Sequence, residues 1–362
     1  MTSNSNSLTN SNAVLIVPYQ WIGDFVRCHS VVKVLKSQDN DAPIDILTSA
    51  NNAPLLDYMP GVRKGIVWDL PRKKIAFGEH RALAERLRAE AYRRALVMPR
   101  TWKAALAPYL AGILQRSGFV GEWRFGLLND LRYGEKKLPR MIDQCAALAL
   151  PANAPLPAEW PLPELKVPGH EISAWRVKMN LPEDGRRIVA LAPGAVGPSK
   201  RWTASGFTQL TKDLAADNVD VWIVGGPGEK SLAQEICAGS PNARDLTGTD
   251  LRNAILALAA ANVAVSNDSG LLHVAAATGT PSIGIFGPTS PWHWAPLNPL
   301  AAIVQADIDL DCRPCHKPVC ALGHHLCMRE IGADKVLRLV YAALENPAAR
   351  VTPRREPERL AS

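Results

Sequence analysis

Six prolines fall within residues 151–168, at Pro151, Pro155, Pro157, Pro161, Pro163 and Pro168. Proline fixes its own backbone and lacks the N–H that a helix interior or a central strand needs. No regular element can run through this stretch, so folded units have to form on either side of it. The 362 residues supply enough chain for two cores. We therefore expect an N-terminal domain over 13–150, a Pro-rich linker with one helix over 151–185, and a C-terminal domain over 186–345. A leader over 1–12 and a charged tail over 346–362 complete the expected division.

Both flanks show the same rhythm. Short apolar runs at Ala13–Pro18, Ile44–Thr48, Gly65–Trp68 and Ala95–Met98 alternate with a helix beginning near Asp24 and helical stretches near 78–94 and 103–117. After the linker the pattern resumes with strands at Arg187–Ala192, Val219–Val224, Ala261–Ser266 and Pro281–Phe286. Helices are expected at 203–216, 229–238, 250–260 and 333–345, with one more between the last two strands. Strands alternating with helices at this spacing imply parallel sheets with crossover helices. The expected fold is thus α/β, with two doubly wound domains facing across a cleft.

Charge and hydropathy exclude several classes. No run of 18 apolar residues occurs, so no transmembrane helix is expected. The Ser/Asn-rich start lacks the basic and apolar regions of a secretion signal. A cytoplasmic protein with reduced cysteines follows as the expectation. The net charge is +7, and residues 63–103 alone hold twelve Lys/Arg against four Asp/Glu. Much of that can be a solvated helix face, but the cluster suits an anionic surface such as lipid headgroups. No nucleic-acid-binding motif accompanies it.

Four loops at strand ends carry the candidate chemistry. Gly23 and Asp24 follow the first strand; Asp24 either caps a helix or offers a carboxylate that can deprotonate a hydroxyl. Gly194-Ala195-Val196-Gly197-Pro198-Ser199-Lys200-Arg201 follows the first strand after the linker. Its glycines and Lys200 suit a diphosphate, although the Walker spacing is missing. Gly225-Gly226-Pro227-Gly228-Glu229 permits close approach of a ligand, with Glu229 able to accept from a ribose. Asp268, Ser269, Gly270, Leu271 and His273 lie where a strand ends and a helix begins. Amides of Ser269–Leu271 would be open to phosphate there; on its own His273 reads equally as a core histidine.

Taken in order, Gly23-Asp24, Ser199–Trp202, Asn267–His273, Gly279-Thr280-Pro281 and Phe286–Thr289 resemble the ADP-heptose:lipopolysaccharide heptosyltransferase family, and within it the type II branch. The resemblance covers residues 13–345. It implies two Rossmann-like domains in the GT-B arrangement, the first taking the acceptor and the second the ADP-heptose donor. It places the catalytic base on Asp24 and the diphosphate-binding cation on Lys200. A ribose contact falls on Glu229, and the remaining donor contacts on Gly194, Ser199, Asp268, Ser269, Gly270, Leu271 and His273; Gly23 and Asp24 would meet the acceptor. The implied reaction is a single inverting displacement onto the first heptose of the inner core, with no cofactor and no catalytic metal. The acceptor would be lipid-anchored and phosphorylated, and the enzyme peripheral to the cytoplasmic face of the inner membrane. Type I activity, transfer from another sugar nucleotide, and a non-catalytic nucleotide-binding scaffold stand as alternatives.

Two further motifs compete with this reading. Asp307-Ile308-Asp309-Leu310-Asp311 looks like an acidic metal motif, but its alternation predicts a half-exposed strand. Cys312, Cys315, Cys320 and Cys327 have the composition of a structural zinc site in a compressed spacing; buried thiols or a disulfide are favoured over zinc.

Overall fold

A computed structural model describes residues 12–69 and 76–348. The chain forms two compact units, which meet between Pro161 and Leu162. The expected leader and tail lie almost wholly outside the described residues, as do Arg72, Lys73 and Lys74 of the basic stretch.

The first unit is built on six parallel strands: β1 (Val14–Val17), β2 (Ile44–Thr48), β3 (Lys64–Val67), β4 (Arg94–Val97), β5 (Gln115–Phe119) and β6 (Asp130–Arg132). Their order is β3-β2-β1-β4-β5-β6. Leu15 pairs with Asp45 on one side and Ala95 on the other, so β1 is central. Every residue of β1 and β2 is buried, as expected where helices cover both faces of a parallel sheet. The edge strand β6 is only half-buried throughout.

The second unit repeats the plan with β7 (Ile188–Ala192), β8 (Asp220–Ile223), β9 (Ala243–Asp245), β10 (Val263–Asn267), β11 (Ser282–Ile285) and β12 (Ala301–Val304). The order β12-β11-β10-β7-β8-β9 is the same as the first when counted from β7. Leu191, Ile223, Val265, Phe207 and Leu210 pack into one core between this sheet and its helices. Thr203 starts the helix Ala204–Ala216 by accepting a bond from the Gly206 amide at 3.0 Å, a cap worth about 1 kcal/mol. Asp250 does the same for Leu251–Ala260 through Asn253, at 2.9 Å.

In both units the strand order reverses beside one central pair, β1/β4 in the first and β7/β10 in the second. The crevice outside the carboxyl ends of such a pair is where open α/β sheets hold ligands. Asp24 follows β1; the Lys200 loop follows β7 and the Asp268 loop follows β10. The sequence motifs therefore sit at the switch point of each sheet.

Several elements differ from expectation. The helix expected over 103–117 ends at Leu110, and Gln115–Phe119 is a strand. Asp307–Asp311 contains no strand; the edge strand is Ala301–Val304, just before it. The strand reading of that acidic motif is thus corrected. Alternation alone does not make a strand when no neighbouring backbone is left to pair with.

Candidate active site

Asp24 is the third residue of the helix Ile22–Gln38. Trp21 occupies the N-cap position without a side-chain capping bond, and Asp24 lies inside the first turn rather than at the cap. Its carboxylate is almost buried and takes a bond from Arg27 Nη1 at 2.6 Å, one helical turn on. Arg27 is itself buried, and such a pair is tolerated only because each charge compensates the other. Around it stand groups that sequence reasoning missed. Tyr19, in the loop after β1, donates to Glu135. Burial, then the negative charge of Glu135, Cys145 and Asp24, pushes the Tyr19 phenol well above its ordinary range. Burial also raises the Glu135 carboxyl, against the pull of Arg100 and Arg124. Arg100 Nε lies 3.1 Å from Glu135, and Arg124 donates to the carbonyls of Pro99 and Phe119. Gly23 is buried in the same first turn. The result is a fixed carboxylate among acids, phenol and guanidinium groups, at the C-terminal edge of the sheet.

In the second unit the two principal loops are tied together. Lys200 Nζ donates to Asp268 Oδ2 at 2.7 Å, and Thr289 Oγ1 donates to the same oxygen at 2.7 Å. Asn267 bridges them again, accepting from the Trp202 amide at 3.0 Å and donating to Pro193 O at 2.7 Å. Lys200 keeps 29% of its side chain exposed, whereas Asp268 is buried. The ammonium is thus held by one anion and still open to another.

Beside the pair, the helix Gly270–Ala277 begins after an extended Ser269 whose side chain makes no capping bond. The Ser269 hydroxyl lies 3.0 Å from that of Ser266 instead. The first-turn amides of Gly270 and Leu271 therefore have no side-chain cap, and they add the positive end of the helix dipole to the ammonium. His273 lies in the second half of that first turn and is buried.

Glu229 is placed by glycine. A Cβ on Gly194 would lie 2.7 Å from the Glu229 carboxyl carbon, and one on Gly225 would be 3.1 Å from its Cβ. The carboxylate is thus lodged between the loops after β7 and β8. Val196 is exposed, and the Ala195 carbonyl accepts from Arg201 Nε at 3.1 Å, so this loop offers backbone rather than hydroxyls to a ligand.

Ser199 differs from its expected role as a donor contact in what its groups now do. It is 3% exposed, its hydroxyl donates to Lys317 O at 2.5 Å, and its amide donates to Pro318 O at 3.2 Å. The cysteine-rich segment thus borders the site. His316 within it lies near Lys200, Asp268 and His293; its imidazole is shifted down by burial first, then by the neighbouring His293 and Lys200. Cys327 is buried and Cys312, Cys315 and Cys320 are half-buried, all as free thiols. Among the described residues no three His, Cys, Asp or Glu side chains are arranged to hold a metal ion. Burial first, then the nearby Cys315, Cys320 and Cys312, raises the Cys327 thiol above its ordinary range.

Lys200 and an uncapped helix start lie at the switch point of the second unit, and the Asp24 carboxylate lies at that of the first. Comparison with known proteins identifies the family. The model of glycosyltransferase family 9 (heptosyltransferase) matches residues 80–326. Lipopolysaccharide heptosyltransferase 2 of Escherichia coli K12 is 33% identical over 346 residues, which is 91% of this chain and 98% of that one. Lipooligosaccharide heptosyltransferase 2 of Haemophilus ducreyi is 32% identical over 340 residues, 90% and 97% of the two chains. The solved structure of the E. coli ADP-heptose lipopolysaccharide heptosyltransferase II superposes with a TM-score of 0.81 at 32% identity, covering 93% of this chain and all of that one. The chain is a member of glycosyltransferase family 9, the heptosyltransferases.

Proposed function

We propose that this protein transfers a heptose from ADP-heptose to the first heptose of a lipopolysaccharide inner core, with inversion at the anomeric carbon. The observation that carries the reading is the Lys200–Asp268–Thr289 cluster beside an uncapped helix start at a sheet switch point. A departing diphosphate gains charge as the glycosidic bond breaks. Lys200 and the Gly270–Leu271 amides, preset before reaction, would stabilise that charge by about 10²-fold or more per donor. Glu229 would accept from the ribose hydroxyls, with Gly194 leaving room for it. Asp268 has a different task from phosphate binding, because a carboxylate repels phosphate; it orients Lys200. His273, one turn into the helix, would face the same anion.

On the first unit Asp24 is the base. Arg27 fixes the Asp24 carboxylate, which would accept the proton of the acceptor hydroxyl. The attacking oxygen then displaces ADP in one step. The proton passes to Asp24, the sugar–oxygen bond forms as the sugar–phosphate bond breaks, and ADP leaves as the anion. These residues need no metal to neutralise the diphosphate. Full-length likeness to heptosyltransferase 2 proteins, at 33% identity, favours the second heptose addition over the first.

Contact with a membrane surface is the remaining part of the proposal. The described part of the basic stretch is partly used within the fold: Arg63 binds Asp45 and Glu90, Lys64 binds Glu90, and Arg94 donates to Leu148 O. The C-terminal edge of the first sheet is better suited. Trp21, Trp123, Phe125 and Tyr133 are all more than half exposed on loops that leave this edge, and Phe77, at the start of the helix Phe77–Ala89, is also more than half exposed. Lys136 and Lys137 are exposed on the same edge. Aromatic side chains interleaved with lysines suit the headgroup region of an anionic bilayer. Sedimentation with vesicles containing anionic lipid tests this: Trp123→Ala with Phe125→Ala should release the protein, and unchanged binding refutes the assignment. Titration calorimetry with ADP, UDP and CMP tests the donor, and a preference for UDP or CMP would refute it.

A further inference from the structure

Ser199 and Lys200 share a tight turn, and one distant segment holds that turn from outside. The Ser199 amide donates to Pro318 O at 3.2 Å and its hydroxyl to Lys317 O at 2.5 Å. Its carbonyl lies 2.7 Å from His325 Nε2. A carbonyl can only accept, so His325 Nε2 must carry the proton. All three polar groups of Ser199 are therefore spent on residues 317–325. The turn is closed by the Lys200 amide on Gly197 O at 3.1 Å, and Gly197 sits at φ 92°, where its missing side chain leaves room for Pro318.

The other end of the same segment grips the opposite side of the ion pair. The amides of Cys315 and His316 both donate to Pro288 O, at 3.0 and 2.9 Å. Pro288 precedes Thr289, whose hydroxyl holds Asp268. One strap, residues 315–325, thus ties the neighbour of Lys200 to the neighbour of Asp268's partner. His325 and His316 both adopt left-handed backbone at φ 53°, a conformation non-glycine residues adopt at a cost and retain where the surroundings enforce it.

We propose that His325 is a positioning residue for the transfer reaction: it sets the Lys200 turn through Ser199 without touching the donor. This rests on Lys200 stabilising the leaving diphosphate, as proposed above. Its chemistry predicts a particular kinetic pattern. Displacing a charge-stabilising group by about 1 Å can cost about 10²-fold in rate, and the loss falls on the transition state, where the diphosphate charge is greatest.

The test is a double-mutant cycle in steady-state transfer from ADP-heptose. His325→Ala should lower kcat at least about tenfold with the donor KM within about threefold. His325→Gln, whose amide can replace the Nε2–H donor, should recover most of the loss. In a Lys200→Ala background, His325→Ala should cost less than about twofold more, since the group it positions is gone. A full tenfold cost in that background, or an unchanged kcat in His325→Ala, overturns the inference while leaving the donor reading standing. Full turnover in Lys200→Ala overturns both. If His325→Ala does not fold, His325→Gln is compared with His325→Asn, whose shorter amide falls short of Ser199 O; equal kcat values in the two overturn the positioning role.

Discussion

Gly194→Ala offers a way to move one carboxylate without touching it. The added methyl would lie 2.7 Å from three atoms of the Glu229 side chain, whereas ordinary contact begins at 3.4 Å. Glu229 would have to retreat by about 0.7 Å, and it is also bordered by Gly225, where an added Cβ would lie 3.1 Å from the Glu229 Cβ. The obstacle is the far end of a flexible side chain, so the fold should absorb the change and Tm should move by no more than about 2 °C. A hydrogen bond from a ribose hydroxyl to a carboxylate is worth about 1.5–3 kcal/mol, which corresponds to about 10- to 100-fold in affinity. Calorimetry should therefore show ADP binding weakened by about that factor. Wild type should lose a similar factor with 2′-deoxy-ADP or 3′-deoxy-ADP, whichever lacks the contacted hydroxyl. In Gly194→Ala that analogue should bind as well as ADP. Unchanged ADP affinity in a folded Gly194→Ala protein would refute the placement of Glu229 at the ribose.

Other perturbations follow from the same geometry. Asp24→Asn should reduce kcat by about 10²–10⁴-fold, the range for a lost general base, whereas Asp24→Ala should also destabilise the protein by about 3 kcal/mol because buried Arg27 loses its partner; retained activity in Asp24→Asn would remove the base. Thr289→Val leaves the Lys200–Asp268 bond in place but frees Asp268 on one side, so kcat should drop several-fold with unchanged Tm, to be read by steady-state kinetics. Asp130 accepts from Arg132, and this bond, with lesser help from Ser117 and Gln115, lowers its carboxyl to about 2. A depressed acid stabilises the fold above its unfolded value and loses that contribution as pH falls from about 4 through about 2. The Tm gap between wild type and Asp130→Asn should accordingly be largest at pH 5 and close by pH 2; a constant gap would show that the charge plays no part.

Which features were legible in the chain depended on burial. The central strands β1, β2, β7, β8, β10 and β11 are covered on both faces, so they appear as continuous apolar runs that periodicity finds. Edge strands give no such signal: Asp130–Arg132 and Ala243–Asp245 are three residues each and half-buried. Gln115–Phe119 begins with three polar residues and carries Gly118 where a Cβ would meet Val97 O, so it lacks the apolar signature while belonging to the sheet. The site divides in the same way. Asp24, Lys200 and Asp268 were marked by residue type at strand ends, but the 2.7 Å bond between Lys200 and Asp268 joins residues 68 apart, which spacing cannot announce. The strap was invisible for a plainer reason: most of its grip uses the carbonyls of Lys317, Pro318 and Pro288, and a backbone atom has no residue code. His325 lies two residues before Cys327, in the stretch whose cysteines have the composition of a metal site.

The central claim is that the carboxylate after β1 and the ammonium after β7 serve one transfer from ADP-heptose. The most direct measurement is mass spectrometry of a mono-heptosylated inner-core glycolipid incubated with the protein and ADP-heptose. The account predicts a product one heptose heavier, absent with Lys200→Ala and with an acceptor that lacks the first heptose. Transfer to the heptose-free acceptor, or from a uridine or cytidine sugar nucleotide in place of ADP-heptose, would contradict it.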